Sequence, residues 1–206
     1  MAAVAGGVSG PEVVVVPTGT ANIASVLAAF RRLGAAPRVD EERAAVAAAP
    51  LVMLPGVGAF GASMARLVEL GLDGVLGERI AADRPTMAIC VGHQLLFATS
   101  AESPGARGLG VVPEHVGRFP DEVRVPQFGW NAVETGEDAN LIEDGWAYFA
   151  NSYRATAAPG WTVAWATHGG RYVAAMERGN VVTCQFHPEL SGAYGEALLS
   201  RFLELA

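Results

Sequence analysis

The chain contains no lysine, and all fourteen of its basic residues are arginine. Without lysine, the protein can form no Schiff base with a carbonyl substrate, and it has no phosphate-binding loop of the lysine-bearing type. Aspartate and glutamate together number 21, so the formal net charge is −7. Binding to nucleic acid or to an acidic membrane surface needs clustered cations. The composition therefore argues against nucleic acid and membranes as partners.

Cysteines and long apolar runs are also scarce. Cys90 and Cys184 are the only cysteines in the sequence, too few for a disulfide framework. No apolar run approaches the roughly 20 residues that span a bilayer. The first ten residues have neither the basic region nor the long apolar region of a secretory signal. We expect a soluble, cytoplasmic protein.

The length and the apolar content indicate a substantial core. The chain has 206 residues, of which 51% are hydrophobic and 17% are charged. A chain of this size fits one large domain. We expect a flexible N-terminal extension over residues 1–10 and a single domain over residues 11–206.

The order of apolar segments predicts the fold class. Buried strands are expected over residues 13–16, 51–54 and 86–90, and helices over residues 22–33, around 61–82 and from Gly92. Strands that alternate with helices indicate a mostly parallel sheet covered on both faces. Alternating segments between residues 114 and 184 predict antiparallel hairpins, and an amphipathic helix is expected near residues 193–205. We predict an α/β three-layer sandwich with a mostly parallel central sheet, plus a smaller antiparallel β segment.

Cys90 lies where a predicted strand gives way to a helix. The sequence "CVGHQ" over residues 90–94 has the layout of a nucleophile elbow, a tight turn that lifts a side chain clear of the sheet. Gly92 lets the turn close without a Cβ clash, and the N-terminus of the helix favours a thiolate. The alternative is an inert buried cysteine, which is the more common case for this residue type alone.

A second motif supports the catalytic interpretation of Cys90. "QFHPELSG", residues 185–192, places His187 and Glu189 two positions apart after a predicted strand. A carboxylate at that spacing can keep an imidazole in the tautomer that a nearby cysteine needs. Such a triplet alone is more often a surface loop, but the chain order Cys90, His187, Glu189 is typical of a catalytic triad.

A third motif is a glycine-rich turn between a predicted strand and a helix. "LPGVGAFG", residues 54–61, lacks the lysine and the spacing of a nucleotide-binding loop. We predict that it supplies one donor of an oxyanion hole, the backbone N–H of Val57, paired with the N–H of Val91 after the nucleophile. A simple turn is the alternative.

Five segments together carry a resemblance to a known family. "PGVGAFG", "CVGHQLLF", "VPQFGWN", "YFANSYRA" and "QFHPELSG" resemble class I glutamine amidotransferases, and within them the glutaminase subunits of imidazole glycerol phosphate synthase. The resemblance covers nearly the whole chain. The elbow and the His-Pro-Glu triplet indicate the class, and "PGVGAFG", "GWN" and "NSY" indicate the more specific group.

The resemblance implies a reaction and a partner. Glutamine would be hydrolysed to glutamate and ammonia through a thioester on Cys90, with His187 transferring protons and Glu189 orienting His187. The ammonia would pass to a cyclase subunit, a (β/α)₈ barrel, in a 1:1 heterodimer that serves histidine biosynthesis. No metal or organic cofactor is implied.

The resemblance also implies roles for further residues. Substrate contacts would come from Gly56, Gly58, Gln94, Glu102 and the backbone of Ser152 and Tyr153. The cyclase interface would include Asn22 and Trp130. A structural interpretation exists for the last two as well: Asn22 as the N-cap of the first helix and Trp130 as a half-buried aromatic side chain.

Three residues depart from the usual pattern of the family. His93 stands where methionine is usual, Asn151 where histidine is usual, and Leu190 where a lysine or arginine is usual. We interpret His93 as a helix residue without a role in proton transfer. The cation missing at Leu190 removes an ion pair to the cyclase, but such rim pairs contribute only about 0–1 kcal/mol.

The glycines of "PGVG" lead to a hypothesis about activation. They permit a peptide flip, so the oxyanion hole would be unformed in the isolated chain and assembled when the loaded cyclase docks. Three alternatives to the assigned function remain open. These are another triad glutaminase such as that of pyridoxal phosphate synthesis, a cysteine hydrolase of small amides without a partner, and a non-catalytic binding module.

Overall fold

The computed structural model describes residues 10–19, 23–136 and 138–206. In chain order the strands are β1 (Glu12–Val15), β2 (Ala36–Val39), β3 (Leu51–Leu54), β4 (Thr86–Ile89), β5 (Phe97–Ser100), β6 (Val112–Arg118), β7 (Gln127–Val133), β8 (Gly145–Asn151), β9 (Tyr153–Ala155), β10 (Thr162–Thr167), β11 (Arg171–Arg178) and β12 (Val181–Cys184). The helices are α1 (Ile23–Arg32), α2 (Arg43–Ala48), α3 (Phe60–Leu70), α4 (Leu72–Ala81), α5 (Val91–Leu95) and α6 (Gly192–Leu203), and a short 3-10 turn spans Pro188–Leu190.

A seven-stranded sheet forms the centre of the molecule. Its strand order is β10-β11-β12-β4-β3-β1-β2. The strands from β12 to β2 pair in parallel, whereas β11 and β10 continue the sheet in antiparallel fashion. Every residue of β3, β4 and β12 is buried, as expected for apolar strands covered on both faces. The predicted α/β class with a mostly parallel sheet is confirmed.

Amphipathic helices cover this sheet. Helix α1 buries Val26, Ala29 and Phe30, whose spacing of three and four places them on one helix face. Its Phe30 lies 6.4 Å from Phe202 of α6, measured between ring centroids, so the first and last helices pack together. Helices α3 and α4 are separated only by Gly71, whose φ of 64° lets the chain leave one helix and start the next.

The predicted antiparallel segment is present, but its strands are shared between the main sheet and two smaller sheets. Strands β10 and β11 extend the main sheet, and β12 is one of its internal strands, parallel to β4. The remaining strands form a three-stranded sheet, β5-β6-β9, and a two-stranded ribbon, β7-β8. Strand β12 lies inside the sheet with all four of its residues buried. A strand with one exposed face would instead alternate between buried and exposed residues.

Residues 1–9 lie outside the described part of the chain, and with them most of the predicted N-terminal extension. That residues 11–206 form one domain stays a prediction. It is supported by a single cluster of buried apolar side chains, which includes Val13 of β1, Phe97 of β5 and Phe202 of α6.

Candidate active site

Three neighbouring parallel strands end at the same edge of the sheet. Strand β4 lies between β3 and β12, and Cys90 directly follows it. The loop 55–58 follows β3, and His187 lies three residues after β12. The carboxyl ends of parallel strands form the crevice where α/β proteins commonly bind ligands. The topology therefore brings the three motifs found in the sequence to one place.

Cys90 has the backbone conformation of a strained turn. Its φ is 54° and its ψ is −111°, and among the described residues only Asp83 shares a positive φ without being glycine. Such a conformation costs about 1–3 kcal/mol and persists where the surroundings enforce it. A Cβ on Gly92 would lie 2.3 Å from the carbonyl oxygen of Leu54, so the turn requires glycine there. The fold thus holds Cys90 in an elbow between β4 and α5.

His187 contacts both Glu189 and Cys90. Its Nδ1 lies 2.9 Å from Oε1 of Glu189, and the two side chains are only 9% and 7% exposed. Burial lowers the pKa of His187, but hydrogen bonds with Cys90 and Glu189 and their negative charges outweigh it and raise that pKa well above its ordinary value. Because Nδ1 faces Glu189, the other ring nitrogen, Nε2, faces Cys90. This arrangement favours the imidazolium form of His187.

The backbone of the His187 segment is fixed by neighbouring elements. The N–H of His187 donates to the carbonyl of Tyr148 in β8 at 2.9 Å. The hydroxyl of Ser191 donates to the carbonyl of His187 at 2.6 Å, and it accepts the N–H of Tyr148 at 3.0 Å. These bonds fix the imidazole over the end of β4.

A pocket of about 150 Å³ opens beside Cys90. It is lined by Val57, Gly58, Cys90, Val91, Gln94, Glu102, Ala150, Asn151, Ser152 and Tyr153. The structure therefore brings the predicted substrate residues together, with one exception. Gly56 lies behind Val57, where it lines a narrow crevice with His187 and Glu189.

The two predicted oxyanion donors are not both directed at the pocket. The N–H of Val91 lies 3.4 Å from the carbonyl oxygen of Gly56. That oxygen belongs to the same peptide unit as the N–H of Val57. With this carbonyl as its acceptor, the N–H of Val91 is not available to a substrate oxygen. The predicted pair of N–H donors is therefore not assembled in this structure.

Glu102 has a structural contact that the sequence did not reveal. Its Oε2 accepts the backbone N–H of Phe60 at 2.7 Å, and Oγ of the adjacent Ser103 accepts the N–H of Gly61 at 3.0 Å. The loop after β5 therefore caps the N-terminus of α3, where a carboxylate is favoured by the helix dipole. The contact joins residues 42 positions apart, so no local sequence pattern predicts it.

Three buried side-chain amides connect the pocket wall to Cys90. Gln94 Nε2 donates to the Tyr153 carbonyl at 3.2 Å and to Gln185 Oε1 at 2.8 Å. Asn151 Nδ2 donates to the same carbonyl at 3.0 Å, and Gln185 Nε2 lies 3.7 Å from Cys90 Sγ. Gln185 was missed by the sequence analysis. The available signal was its place two residues before His187, on the same side of the extended chain.

His93 is fully buried beneath the elbow. Its Nδ1 lies 2.7 Å from Oγ1 of Thr183, its ring packs edge-on against Phe97, and Nε2 has no hydrogen-bond partner among the described residues. Burial lowers the pKa of His93 to about 3. The ring is therefore neutral at physiological pH and joins α5 to β12.

The buried neutral His93 predicts a loss of stability in acid. The unfolded chain binds a proton at the ordinary pKa of about 6.5, whereas the folded chain does not, so stability falls as the pH drops below that value. At about 1.4 kcal/mol per pH unit, the loss from pH 6.5 to 5.0 is about 2 kcal/mol. Urea unfolding at these two pH values measures it. His93→Met should remove this part of the loss; an equal loss in the variant and the wild type would contradict it.

One face of the β7-β8 ribbon carries exposed aromatic side chains. Phe128, Trp130 and Trp146 are 64%, 54% and 62% exposed, and the register pairs Trp130 with Tyr148. Leu190, which is 49% exposed, lies in the 3-10 turn that contacts β8. We call Phe128, Trp130, Trp146 and Leu190 the aromatic face. The other predicted interface residue, Asn22, lies outside the described residues.

The described ranges lack two kinds of feature. None of the helices in these ranges is long and apolar enough to cross a membrane. Within the same ranges, no group of three or more His, Cys, Asp or Glu side chains is arranged to bind a metal ion.

Comparison with known proteins identifies the family. Residues 14–205 match the model of the family described as glutamine amidotransferase class-I. The chain is 41% identical over 196 residues to imidazole glycerol phosphate synthase subunit HisH of Symbiobacterium thermophilum, covering 93% of this chain and 92% of the relative. It is 38% identical over 193 residues to the chloroplastic imidazole glycerol phosphate synthase hisHF of Arabidopsis thaliana, covering 90% of this chain and 33% of that protein.

The fold is also similar to that of a solved structure described as glutamine amidotransferase. The TM-score is 0.74 at 21% sequence identity, and the match covers 93% of this chain and 97% of that chain. At this identity the likeness concerns the fold alone. Together with the match to the family model and the HisH relatives, it leads to one conclusion: the chain belongs to the class I glutamine amidotransferases, and within them to the HisH family.

Proposed function

We propose that the chain is the glutaminase subunit of an imidazole glycerol phosphate synthase. In this role it hydrolyses glutamine to glutamate and ammonia and passes the ammonia to a cyclase subunit in histidine biosynthesis. The observation that carries the proposal is the contact of His187 with both Cys90 and Glu189 at the end of β4. Membership in the HisH family supports the same reaction.

The first half of the reaction forms a thioester. The Cys90 thiolate attacks the carboxamide carbon of glutamine, and the carbonyl oxygen takes up the negative charge. The C–N bond then breaks, and His187 gives the proton on Nε2 to the departing nitrogen, which leaves as ammonia. Glu189 holds the opposite nitrogen of the ring and stabilises the imidazolium.

The second half hydrolyses the thioester. Neutral His187 accepts a proton from water, and the resulting hydroxide attacks the glutamyl carbonyl carbon. The C–S bond breaks, glutamate is released, and the thiolate and the imidazolium are restored. Gly58, Glu102, Ser152 and Tyr153 also line the pocket, and we place the amino-acid end of glutamine against them.

Rotation of one peptide unit would complete the oxyanion hole. The Gly56 carbonyl accepts from Val91, and a flip of the Gly56–Val57 peptide replaces that carbonyl with the N–H of Val57. Two N–H groups would then point to the position of the anionic oxygen. In this proposal the loaded cyclase favours the flipped state, so the isolated chain hydrolyses glutamine slowly.

We assign the aromatic face to the cyclase. Large exposed aromatic side chains are typical of interface centres, and a monomer would gain nothing from exposing four apolar side chains next to one another. The hisHF relative supports a partner, because this chain corresponds to only 33% of its length. A 1:1 complex with a (β/α)₈ barrel is the arrangement we propose. With both described cysteines as free thiols, we place this complex in the reducing cytoplasm.

Replacing Trp130 is expected to weaken the complex. Trp130→Ala should raise the dissociation constant for the cyclase subunit about thirtyfold, as removal of a central aromatic side chain commonly does. Isothermal titration calorimetry with the purified cyclase measures the change. Val39→Ala, at an exposed apolar position of edge strand β2, serves as the control and should bind as the wild type does. Unchanged binding of Trp130→Ala would remove the aromatic face from the interface.

The proposed function is tested by glutamate release from glutamine. The purified chain is assayed alone, with the cyclase subunit, and with the cyclase plus its ribotide ligand. Strong stimulation by the loaded cyclase is expected. Activity that does not respond to the cyclase would assign the chain to another triad glutaminase or to an amide hydrolase. Absence of activity under all three conditions would indicate a binding module.

A further inference from the structure

Cys90 has a second polar neighbour besides His187. Gln185 Nε2 lies 3.7 Å from Cys90 Sγ, within the range of a hydrogen bond to sulfur. The side chain of Gln185 is fully buried, and Gln94, with which it is paired, is 3% exposed. A buried glutamine normally satisfies its amide with oxygen and nitrogen partners. Here the N–H group is instead directed at the nucleophile.

The Tyr153 carbonyl determines which way the side-chain amides of Gln94 and Gln185 are oriented. The carbonyl of Tyr153 can only accept, so the amide of Gln94 must present Nε2 to it. The same Nε2 donates to Oε1 of Gln185, which leaves Nε2 of Gln185 facing the sulfur. A rotated Gln185 amide would place two nitrogens against each other and a carbonyl oxygen against Cys90. The backbone of β9 therefore determines that a donor reaches the sulfur.

We propose that Gln185 is a further catalytic residue, which stabilises the Cys90 thiolate by donating a hydrogen bond, and that Gln94 positions it. The proposal rests on the glutaminase function described above. A hydrogen bond to an ionised acceptor is roughly twice as strong as one between neutral groups, so Gln185 favours the thiolate over the thiol. No atom is transferred by Gln185.

This donor acts in both halves of the reaction. During thioester hydrolysis His187 takes a proton from the attacking water, and the departing sulfur then gains a negative charge. The N–H of Gln185 remains beside that sulfur throughout, because the Gln94 amide and the Tyr153 carbonyl keep it in place. Gln185 therefore stabilises the leaving thiolate in the second half of the reaction as well as the attacking thiolate in the first.

The test measures how the rate of alkylation of Cys90 by iodoacetamide depends on pH. Full-length protein is used, alone and bound to the cyclase, and Cys90→Ala identifies the alkylated site. Gln185→Met should move the midpoint of the profile upward by about 0.5–1 pH unit, the equivalent of one lost hydrogen bond. Gln94→Met should move it in the same direction by a smaller amount. Gln127→Met, another buried glutamine, is the matched control and should leave the midpoint unchanged.

Two further measurements distinguish loss of the hydrogen bond from misfolding of the Gln185→Met variant. Gln185→Glu keeps the shape of the side chain but presents an oxygen to the sulfur, so its midpoint should rise by more than that of Gln185→Met. In wild-type protein labelled with ¹⁵N, the side-chain amide of Gln185 should titrate together with Cys90, and this titration should disappear in Cys90→Ala.

Different outcomes separate this proposal from the function on which it rests. An unchanged midpoint in the Gln185 variants, with normal alkylation of the wild type, would overturn the role of Gln185 and leave the glutaminase intact. A shift in Gln185→Met without a shift in Gln94→Met would overturn the positioning role of Gln94. A wild-type Cys90 that iodoacetamide does not alkylate would count against the nucleophile itself.

Discussion

Cys90→Ala is expected to reduce glutamate release by the loaded complex at least about a thousandfold, to the background rate. Without the sulfur no thioester forms, and His187 and Glu189 have no nucleophile to assist. The measurement is glutamate produced per complex, with the ligand-bound cyclase in excess. Binding of the cyclase should be unchanged, since Cys90 is only 5% exposed and is not one of the side chains of the aromatic face.

Cys184 provides the matched control. Like Cys90, it is a free cysteine, and it is 1% exposed. Its Sγ lies 3.4 Å from the carbonyl oxygen of Phe186. Burial, together with the nearby charges of Glu189 and Cys90, raises the pKa of Cys184 well above its ordinary value, so it is a poor nucleophile. Cys184→Ala should retain activity. Loss of activity in Cys184→Ala but not in Cys90→Ala would contradict the assigned nucleophile.

Gly58→Ala is expected to reduce the stimulated rate about a hundredfold, the effect of losing one oxyanion donor, while glutamine binding changes by less than about threefold. Gly58 has a φ of 114°, which an alanine avoids, so the variant should disturb the loop that must reorganise for the peptide flip. Steady-state kinetics with and without the loaded cyclase give the rates. Equilibrium binding of glutamine to the Cys90→Ala background gives the affinity.

Gly160 supplies a control for backbone strain alone. Its φ is 79°, and a Cβ placed there would meet no atom within 4 Å. Gly160→Ala should lower stability by about 1 kcal/mol and leave the stimulated rate unchanged. If Gly58→Ala weakened glutamine binding as much as it reduced the stimulated rate, loop reorganisation would not explain activation.

The sequence predicted the strands whose residues are continuously apolar. The run at 51–54 coincides with β3, and the run at 86–90 ends one residue beyond β4, at Cys90. Strand β2 was missed because the edge segment "APRV" contains Pro37 and Arg38 and has no apolar alternation. Helix α2 was missed because its six residues bury only Val46. The helix predicted from Gly92 corresponds to α5, which begins one residue earlier, has only five residues and leads into β5.

The sequence also predicted which motifs meet at the site. Strand-to-helix turns are local patterns, so the elbow at Cys90 and the glycine turn after β3 could be identified from neighbouring residues. The family and the glutaminase function inferred from these motifs are confirmed by the comparisons. The individual roles of Cys90, His187 and Glu189 stay predictions, which the variants above test.

Contacts between distant segments could not be predicted. Gln185 and Cys90 are 95 positions apart, and Gln94 and Tyr153 are 59 positions apart. The bond between the Val91 N–H and the Gly56 carbonyl depends on how closely the loop 55–58 packs on the elbow. Such pairings follow from the three-dimensional strand order and leave no periodic pattern in the sequence.

Covalent labelling by a glutamine analogue that carries a chloromethyl ketone in place of the carboxamide tests directly whether Cys90 is the glutaminase nucleophile. After incubation, proteolysis and mass spectrometry locate the adduct, and excess glutamine serves as competitor. We expect one adduct, on Cys90, whose formation is slowed by glutamine and accelerated by the loaded cyclase. An adduct on Cys184, or labelling of Cys90 that glutamine does not slow, would contradict it.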